Sequence, residues 1–166
     1  MGVAGTGKST VGAALAHALG LAFVEGDAYH PVSNLQRMAA GIPLTDADRS
    51  PWLETLAARL RAAEQAGAGL VMACSALRRS YRELLRTGAA GIIFIYLHGD
   101  RELLAGRLAQ RRDHFMPPSL LDSQLAALEP PAPDEDAWAY DISLAPRAIV
   151  TAVLERAAAR TRAELP

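Results

Sequence analysis

The chain has 166 residues and a mass of 17.6 kDa, the size of one globular domain, and we predict a single domain spanning residues 1–166. Its 17 basic and 18 acidic residues leave a net charge of −1, which excludes an electrostatic platform for nucleic acid or an anionic membrane. Cys74 is the only cysteine, no signal-like segment is present, and no apolar run approaches the roughly 20 residues of a membrane span. We therefore expect a cytoplasmic protein whose partners are small molecules.

A glycine-rich segment at residues 2–9 comes first and is followed by apolar residues at helical spacing. It matches the pattern G-x-x-x-x-G-K-[ST] at every defined position, and Lys8 is the only lysine of the chain. The glycines let successive backbone N–H groups converge on an anion at the start of a helix. The segment predicts a P-loop in which Lys8 reaches the β- and γ-phosphates of ATP and the Ser9 hydroxyl binds Mg²⁺, although a chance glycine-rich turn before a helix is the alternative. The predicted ATP contacts here are Gly2, Val3, Ala4, Gly5, Thr6, Gly7, Lys8, Ser9 and Thr10.

The P-loop pattern requires a strand that leads into it, and no such strand stands before Gly2. A missing central strand would leave buried backbone groups unpaired, at a cost of about 1–3 kcal/mol each. We therefore expect the natural start to lie upstream of Met1, with roughly six to ten further residues of apolar strand.

A short extended run at residues 21–24 precedes two carboxylates, Glu25 and Asp27. In extended geometry residues two apart point to the same side of the chain. In phosphoryl transfer one carboxylate can hold Mg²⁺ through water while another orients or deprotonates the attacking hydroxyl. We assign Asp27 to the hydroxyl and Glu25 to the metal; a solvated acidic turn is the alternative.

His30 and Asn34 lie four residues apart, and Pro31 suits the first turn of a helix. If both side chains line one face of that helix, they are placed to hydrogen-bond the hydroxyls of a polyol. The alternative for His30 is a histidine of a helix start or of the core.

The rest of the chain alternates between helical and strand patterns. Ser50 and Pro51 predict the N-cap and first turn of a long helix. Buried strands are predicted at 69–74 and 91–97, a short last strand at 139–143, and further helices at 78–86, 101–110, 119–128 and 147–164. Strands separated by helices indicate an α/β fold of the P-loop NTPase type, with a parallel β-sheet flanked by helices on both faces and ligands at the carboxyl ends of the strands.

Together these motifs resemble the gluconokinase family, small P-loop sugar-acid kinases whose signature joins the phosphate loop to G-D-x-x-H-P-x-x-N. This pattern is present at residues 26–34. The likeness covers nearly the whole chain and continues through residues 38, 41–53, 74–78, 81–82, 94–97, 99–100, 107–108, 111, 114–116, 120–121, 124 and 128–130.

The resemblance implies transfer of the γ-phosphate of ATP to the terminal hydroxyl of D-gluconate, with Mg²⁺ as cofactor. It implies that Arg49 and Arg78 bind the gluconate carboxylate, since a guanidinium can grip a carboxylate with two hydrogen bonds. Arg79 or Arg82 could replace Arg78 in that role. Ser75 and His114 are further substrate contacts implied by the family motifs.

The resemblance also implies a helical lid at about residues 107–129. Within it, Arg107 and Arg111 would fold over ATP, and Arg111 would bring positive charge to the transferred phosphoryl group. A solvated helix end is the alternative for Arg111. Gln124 and Glu129 are expected to position the lid helix rather than to touch substrate.

Two other hypotheses for the function remain open at this point. One is a related P-loop kinase that acts on shikimate, a nucleoside monophosphate or another sugar acid. The other is a truncated nucleotide-binding module without catalysis. The resemblance further suggests a homodimer.

Overall fold

Strands and helices alternate in the computed structural model of this chain, which describes residues 1–110 and 120–164. The four strands are β1 Ala22–Glu25, β2 Leu70–Ala73, β3 Phe94–His98 and β4 Ala137–Asp141. The helices are α1 Lys8–Leu19, α2 Val32–Ala39, α3 Asp46–Gln65, α4 Arg79–Arg86, α5 Arg101–Ala109, α6 Leu120–Ala127 and α7 Pro146–Glu164, with one turn of 3₁₀ helix at Gly26–Tyr29. None of the described helices is both long and apolar enough to cross a membrane.

The strands form two parallel pairs. β1 pairs with β2 in the register Ala22 to Leu70, and β3 pairs with β4 in the register Phe94 to Ala137. Each pair is joined through helices, as parallel strands require. The predicted parallel arrangement is therefore confirmed.

The apolar core has two layers, one on each side of the strands. Alternate side chains of β3 face opposite ways: Leu97 packs in a layer with α1, α5 and α7, whereas Phe94 and Tyr96 pack in a layer with α3 and α4. Helices thus cover both faces, as predicted. This arrangement directs the carboxyl ends of the strands toward one edge of the molecule.

A slot separates β2 from β3, and among the described residues no strand fills it. Met1 stands at its end: its amino group donates to the Ile95 carbonyl, and its own carbonyl accepts from the Leu97 N–H at 2.9 Å. Gly2 N–H donates to the Ser75 carbonyl on the other side at 3.1 Å. Behind Met1 lies a mostly apolar cavity of about 500 Å³, which we call the strand slot. It lies where the sequence predicts a central strand.

The start of α3 differs from the prediction. Thr45 is the N-cap and forms a capping box with Asp48, so the helix begins at Asp46 and contains both Ser50 and Pro51. The N-cap assignment of Ser50 was wrong because the Thr45 and Asp48 side chains satisfy two end groups reciprocally, a stronger start signal than the proline.

Candidate active site

The phosphate loop depends on glycines at places where a side chain would not fit. Gly2 has a φ of 138°, and a Cβ there would lie 2.4 Å from the Leu97 carbonyl oxygen. Gly7 has a φ of 84° and is the N-cap of α1, where it offers no capping side chain. The first N–H groups of the helix therefore face the loop and are suited to an anion.

Lys8 folds back over this loop. Its Nζ donates to the Val3 carbonyl at 3.0 Å, and the Thr6 hydroxyl donates to the same oxygen at 2.9 Å. These contacts hold the ammonium group at the mouth of the loop, beside the N-terminus of α1. The predicted contact of Lys8 with phosphates is compatible with this position and stays a prediction.

A cavity of about 50 Å³, which we call the acceptor cavity, opens between the phosphate loop and the end of β1. It brings together nine of the predicted site residues, five from the phosphate loop and four from the acceptor side. Its described walls comprise Ala4, Gly5, Gly7, Lys8, Ser9, Asp27, His30, Met38, Leu44, Arg49, Trp52, Ser75, Leu77 and Gln124. The volume is smaller than a sugar acid, so its walls must separate when an acceptor enters.

Asp27 and Glu25 have different surroundings. β1 ends at Glu25, and Asp27 lies in the 3₁₀ turn that follows. The prediction that extended chain directs both carboxylates to the same side was therefore wrong. Gly26 causes the turn to pack tightly, since a Cβ there would lie 2.4 Å from the Ala73 carbonyl oxygen. Of the two carboxylates, only Asp27 lines the acceptor cavity.

His30 is held by stacking. Its ring lies 4.1 Å from the Trp52 ring with an interplanar angle of 16°, and Trp52 is fixed by its own hydrogen bond to the Gly26 carbonyl at 2.8 Å. Burial, with a smaller contribution from Arg49, lowers the pKa of His30 to about 4, so the ring is neutral at pH 7. Its buried Nδ1 has no hydrogen-bond partner among the described residues. A neutral imidazole with an unsatisfied nitrogen fits a ligand hydroxyl.

Asn34 takes a structural place. α2 begins at Val32, so His30 precedes this helix and the two side chains do not share a helical face. Asn34 is buried and donates to the Asp48 carbonyl at 2.7 Å, which ties α2 to α3. It does not line the acceptor cavity, and the geometry gives no support to its predicted contact with polyol hydroxyls.

Arg49 and Arg78 also differ. The Arg49 side chain is only 15% exposed, donates to the Leu44 carbonyl at 2.7 Å and lines the acceptor cavity. Arg78 lies at the N-cap of α4, outside the lining, and pairs with Asp46 at 2.6 Å. The same Asp46 carboxylate accepts from the Tyr81 hydroxyl at 2.5 Å. Arg49 is therefore better placed than Arg78 to meet a substrate carboxylate.

The loop after β2 supplies Ser75 to the cavity and is held in an unusual conformation. Ala76 has a φ of 45°, the one positive value among the described non-glycine residues. Arg82, which is fully buried, donates to the Ala76 and Leu77 carbonyls at 3.1 and 3.3 Å. Glu135 binds Arg82 through both carboxylate oxygens at 2.5 and 2.8 Å. This Arg82 clamp keeps Ser75 at the wall of the cavity.

A second cavity of about 240 Å³ lies on the other side of the phosphate loop. Arg107 and Thr10, both predicted ATP contacts, face it, and Arg107 donates to the Ile142 carbonyl at 2.8 Å. Leu144 and Pro146 add an apolar surface. A cavity lined by apolar side chains and one guanidinium suits a nucleotide base.

Two predicted residues, Arg111 and His114, lie outside the described residues. Trp52 and Gln124 also line the acceptor cavity but were not predicted as site residues. Trp52 stacks on His30, and the Gln124 Oε1 accepts a hydrogen bond from the Ala4 N–H at 2.6 Å. Both lie within the motifs that carry the family likeness, but a motif does not tell which side chain touches which.

The donor set at the loop fits magnesium better than a metal held by protein alone. Among residues 1–110 and 120–164 there is no group of three or more His, Cys, Asp or Glu side chains that could hold a metal. Mg²⁺ is usually bound by one or two protein oxygens together with water and substrate phosphates. Ser9 and Asp27 line the same cavity beside the phosphate loop, which matches that pattern, whereas Glu25 does not line it.

Known proteins resemble this chain along most of its length. Residues 1–131 match the AAA domain family. The gluconokinase of Gluconobacter oxydans (strain 621H) is 54% identical over 81% of this chain and 76% of its own length. The thermoresistant gluconokinase of Escherichia coli (strain K12) is 40% identical over 93% of this chain and 89% of its own length.

Solved structures give the same result. A gluconokinase from Sinorhizobium meliloti 1021 superposes with a TM-score of 0.88 at 45% identity, covering 100% of this chain and 95% of that one. The adenosine phosphosulfate (APS) kinase CysC of Mycobacterium tuberculosis, at 16% identity and a TM-score of 0.67, shares the fold alone. The predicted P-loop NTPase fold is confirmed, and by its sequence identity to these relatives the chain belongs to the gluconokinase family of P-loop kinases.

Proposed function

We propose that this protein is a gluconokinase that transfers the γ-phosphoryl group of ATP to the 6-hydroxyl of D-gluconate. The observation that carries the proposal is the acceptor cavity, in which Lys8 and Ser9 of the phosphate loop face Asp27, His30 and Arg49. The names of the relatives support the same acceptor. ATP and gluconate are its substrates.

Each side chain has a role in this scheme. Arg49 binds the gluconate carboxylate, and neutral His30 hydrogen-bonds a hydroxyl of the chain. Asp27 accepts the proton of the attacking hydroxyl as the new O–P bond forms and the bond to the β-phosphate oxygen of ATP breaks, which releases ADP. Lys8 compensates the charge of the β- and γ-phosphates.

Magnesium, held at Ser9 and through water at Glu25 or Asp27, neutralises phosphate charge when it is bound. Arg107 faces the nucleotide base, and Arg111 and His114 are proposed lid contacts with the phosphoryl group and the substrate. Arg78 is a secondary candidate for the carboxylate, since its pairing with Asp46 would have to break first. We also propose a homodimer in the cytoplasm, which rests on the family likeness and on the single cysteine.

The proposal is tested by measuring ADP release with D-gluconate, related sugar acids, shikimate and nucleoside monophosphates as acceptors. Gluconate is expected to have the highest kcat/KM. Lys8→Ala and Asp27→Asn are each expected to lower kcat by about 100-fold or more, since both act on the transferred group. The matched control is Glu155→Gln, an exposed carboxylate of α7 outside the acceptor cavity.

Fastest turnover with shikimate or a nucleotide would reject the gluconate assignment. If gluconate caused no ADP release above background while ATP still bound, the protein would be a binding module rather than a kinase.

A further inference from the structure

Asp46, the first residue of α3, lies beside the acceptor cavity at a point where cations and a donor hydroxyl converge. Its Oδ2 pairs with the Arg78 guanidinium at 2.6 Å, and its Oδ1 accepts from the Tyr81 hydroxyl at 2.5 Å. The same Oδ1 lies 4.0 Å from Nη1 of Arg49, the guanidinium that lines the cavity and is proposed to bind the gluconate carboxylate. A carboxylate of the protein itself therefore occupies surroundings that suit a carboxylate of the substrate.

The Tyr81 ring lies against both guanidinium groups. The guanidinium carbons of Arg49 and Arg78 are 5.8 and 6.0 Å from the ring centroid, within the range of a cation–π contact. Burial, together with the hydrogen bond to Asp46, raises the pKa of the Tyr81 hydroxyl, so this group is protonated at pH 7 and donates. The two arginines thus share one anion, which is Asp46.

The members of this cluster differ in how firmly they are held. The Arg49 side chain is 15% exposed and is tied to the Leu44 carbonyl at 2.7 Å, whereas those of Asp46 and Arg78 are 56% and 38% exposed. The capping box at the start of α3 is made by Thr45 and Asp48, so this helix end does not depend on the Asp46 carboxylate. Asp46 can therefore turn toward water while Arg49 stays at the cavity wall.

We propose that Asp46 is a specificity-determining residue, whose carboxylate competes with the carboxylate of the acceptor for Arg49 and Arg78. An acceptor anion at Arg49 must either tolerate a like charge nearby or displace Asp46 toward water, and both lower its affinity. A neutral acceptor does not meet this repulsion. The inference rests on the proposed function and adds to it the residue that limits how strongly the site prefers an anionic acceptor.

The test compares the wild type with Asp46→Asn, Asp46→Glu and the control Asp136→Asn. Asparagine keeps an oxygen that can accept from the Tyr81 hydroxyl but carries no charge, whereas glutamate keeps the charge. Asp136 pairs with Arg160 at 2.6 Å and precedes β4, so it lies at the end of the strands away from the cavity. Its substitution removes the same charge from the molecule at a distance from the site.

Each protein is assayed for kcat and KM with D-gluconate and with D-gluconamide, in which a neutral amide replaces the carboxylate. The ratio of the two kcat/KM values is the preference for the anion, and because it is measured on one enzyme sample it does not depend on the folded fraction. Asp46→Asn is expected to raise this preference by up to about five-fold, through a lower KM for gluconate, with kcat and KM for ATP unchanged. Asp46→Glu and Asp136→Asn are expected to stay close to the wild type.

A lower preference in Asp46→Asn would mean that Asp46 holds the arginines in place for the substrate, and an unchanged preference would mean that its charge does not reach the acceptor. Equal effects of Asp46→Asn and Asp136→Asn would assign the change to net charge alone. Each of these results overturns the inference, and with wild-type turnover of gluconate each leaves the proposed function intact. If the wild type does not phosphorylate gluconate, the proposed function fails and this inference fails with it.

Discussion

His30 shows at the scale of one residue how burial changes a side chain. Stacked on Trp52 and near Arg49, it has its pKa lowered to about 4, against an ordinary value of 6.5. In the unfolded chain the His30 imidazole therefore becomes protonated below about pH 6.5. In the folded protein it becomes protonated only near pH 4. The contribution of His30 to stability is complete above pH 6.5 and is lost as the pH falls toward 4.

We expect His30→Gln to weaken the pH dependence of stability in that window. A single proton corresponds to a slope of up to about 1.4 kcal/mol per pH unit. The free energy of unfolding is measured by urea denaturation of the wild type and the variant at several pH values between 7.5 and 4.5. Carboxylates that titrate in both proteins contribute equally, so the difference between the two free energies reports on His30. Parallel curves would show that His30 is protonated alike in both states.

Arg82 acts at the scale of elements, since it joins the loop after β2 to the segment that leads into β4. It is fully buried and bound to Glu135, and it also donates to the Glu129 carbonyl at 3.0 Å. Removal of one partner of a buried ion pair leaves the other charge without compensation, which costs about 3–5 kcal/mol. The clamp also holds Ala76 in its left-handed conformation.

Arg82→Met is therefore expected to reduce the free energy of unfolding by about 3–5 kcal/mol, as measured by urea denaturation. Arg79→Met is the matched control. Arg79 lies on the same helix and pairs with Glu83 and Asp134, but its side chain is 46% exposed, and such pairs contribute about 0–1 kcal/mol. Equal losses in the two variants would contradict the special role of the buried pair.

Elements with strong periodicity were predicted well, and element ends were not. The helix predicted at 101–110 is α5 with one residue fewer, and the last strand lies two residues earlier than predicted. The errors occur where local contacts decide: the Thr45 capping box moved the helix start from Ser50, and the closely packed turn at Gly26 ended the extended chain after Glu25. Such local competition depends on neighbours that a sequence pattern does not contain.

At the scale of the whole molecule, the sequence motifs predicted most of the residues that line the acceptor cavity. They did not predict which partner each side chain contacts. Asp27, His30, Arg49 and Ser75 meet there as predicted. Asn34 does not, because packing of α2 on α3 uses its side chain for the Asp48 carbonyl. The contact between Gln124 and Ala4 joins distant parts of the chain, so only the folded structure reveals it.

The strand slot makes a prediction for the polypeptide of residues 1–166. The edges of β2 and β3 face a cavity of about 500 Å³, and Met1 pairs with β3 in the manner of a parallel strand. We expect an apolar strand-forming segment fused ahead of Met1 to raise the Tm. Each buried side chain adds about 1.5–3 kcal/mol, offset by about 1–2 kcal/mol per ordered residue, and each net kcal/mol raises the Tm by about 2–4 °C.

Thermal unfolding of the fused protein measures this effect. The control is a Gly/Ser segment of the same length, which is expected to leave the Tm unchanged because it has no apolar side chains for the slot. If both fusions melt at the same temperature, the slot does not accept a strand.

The lone lysine gives the phosphate loop a chemical property that the rest of the surface lacks. Amine-acylating reagents can react with only one ε-amino group in this arginine-rich chain, that of Lys8. The α-amino group of Met1 is buried. If ATP binds over Lys8 as proposed, its phosphates will shield the Lys8 nitrogen from such reagents. We therefore expect covalent labelling of Lys8 to fall when ATP is added.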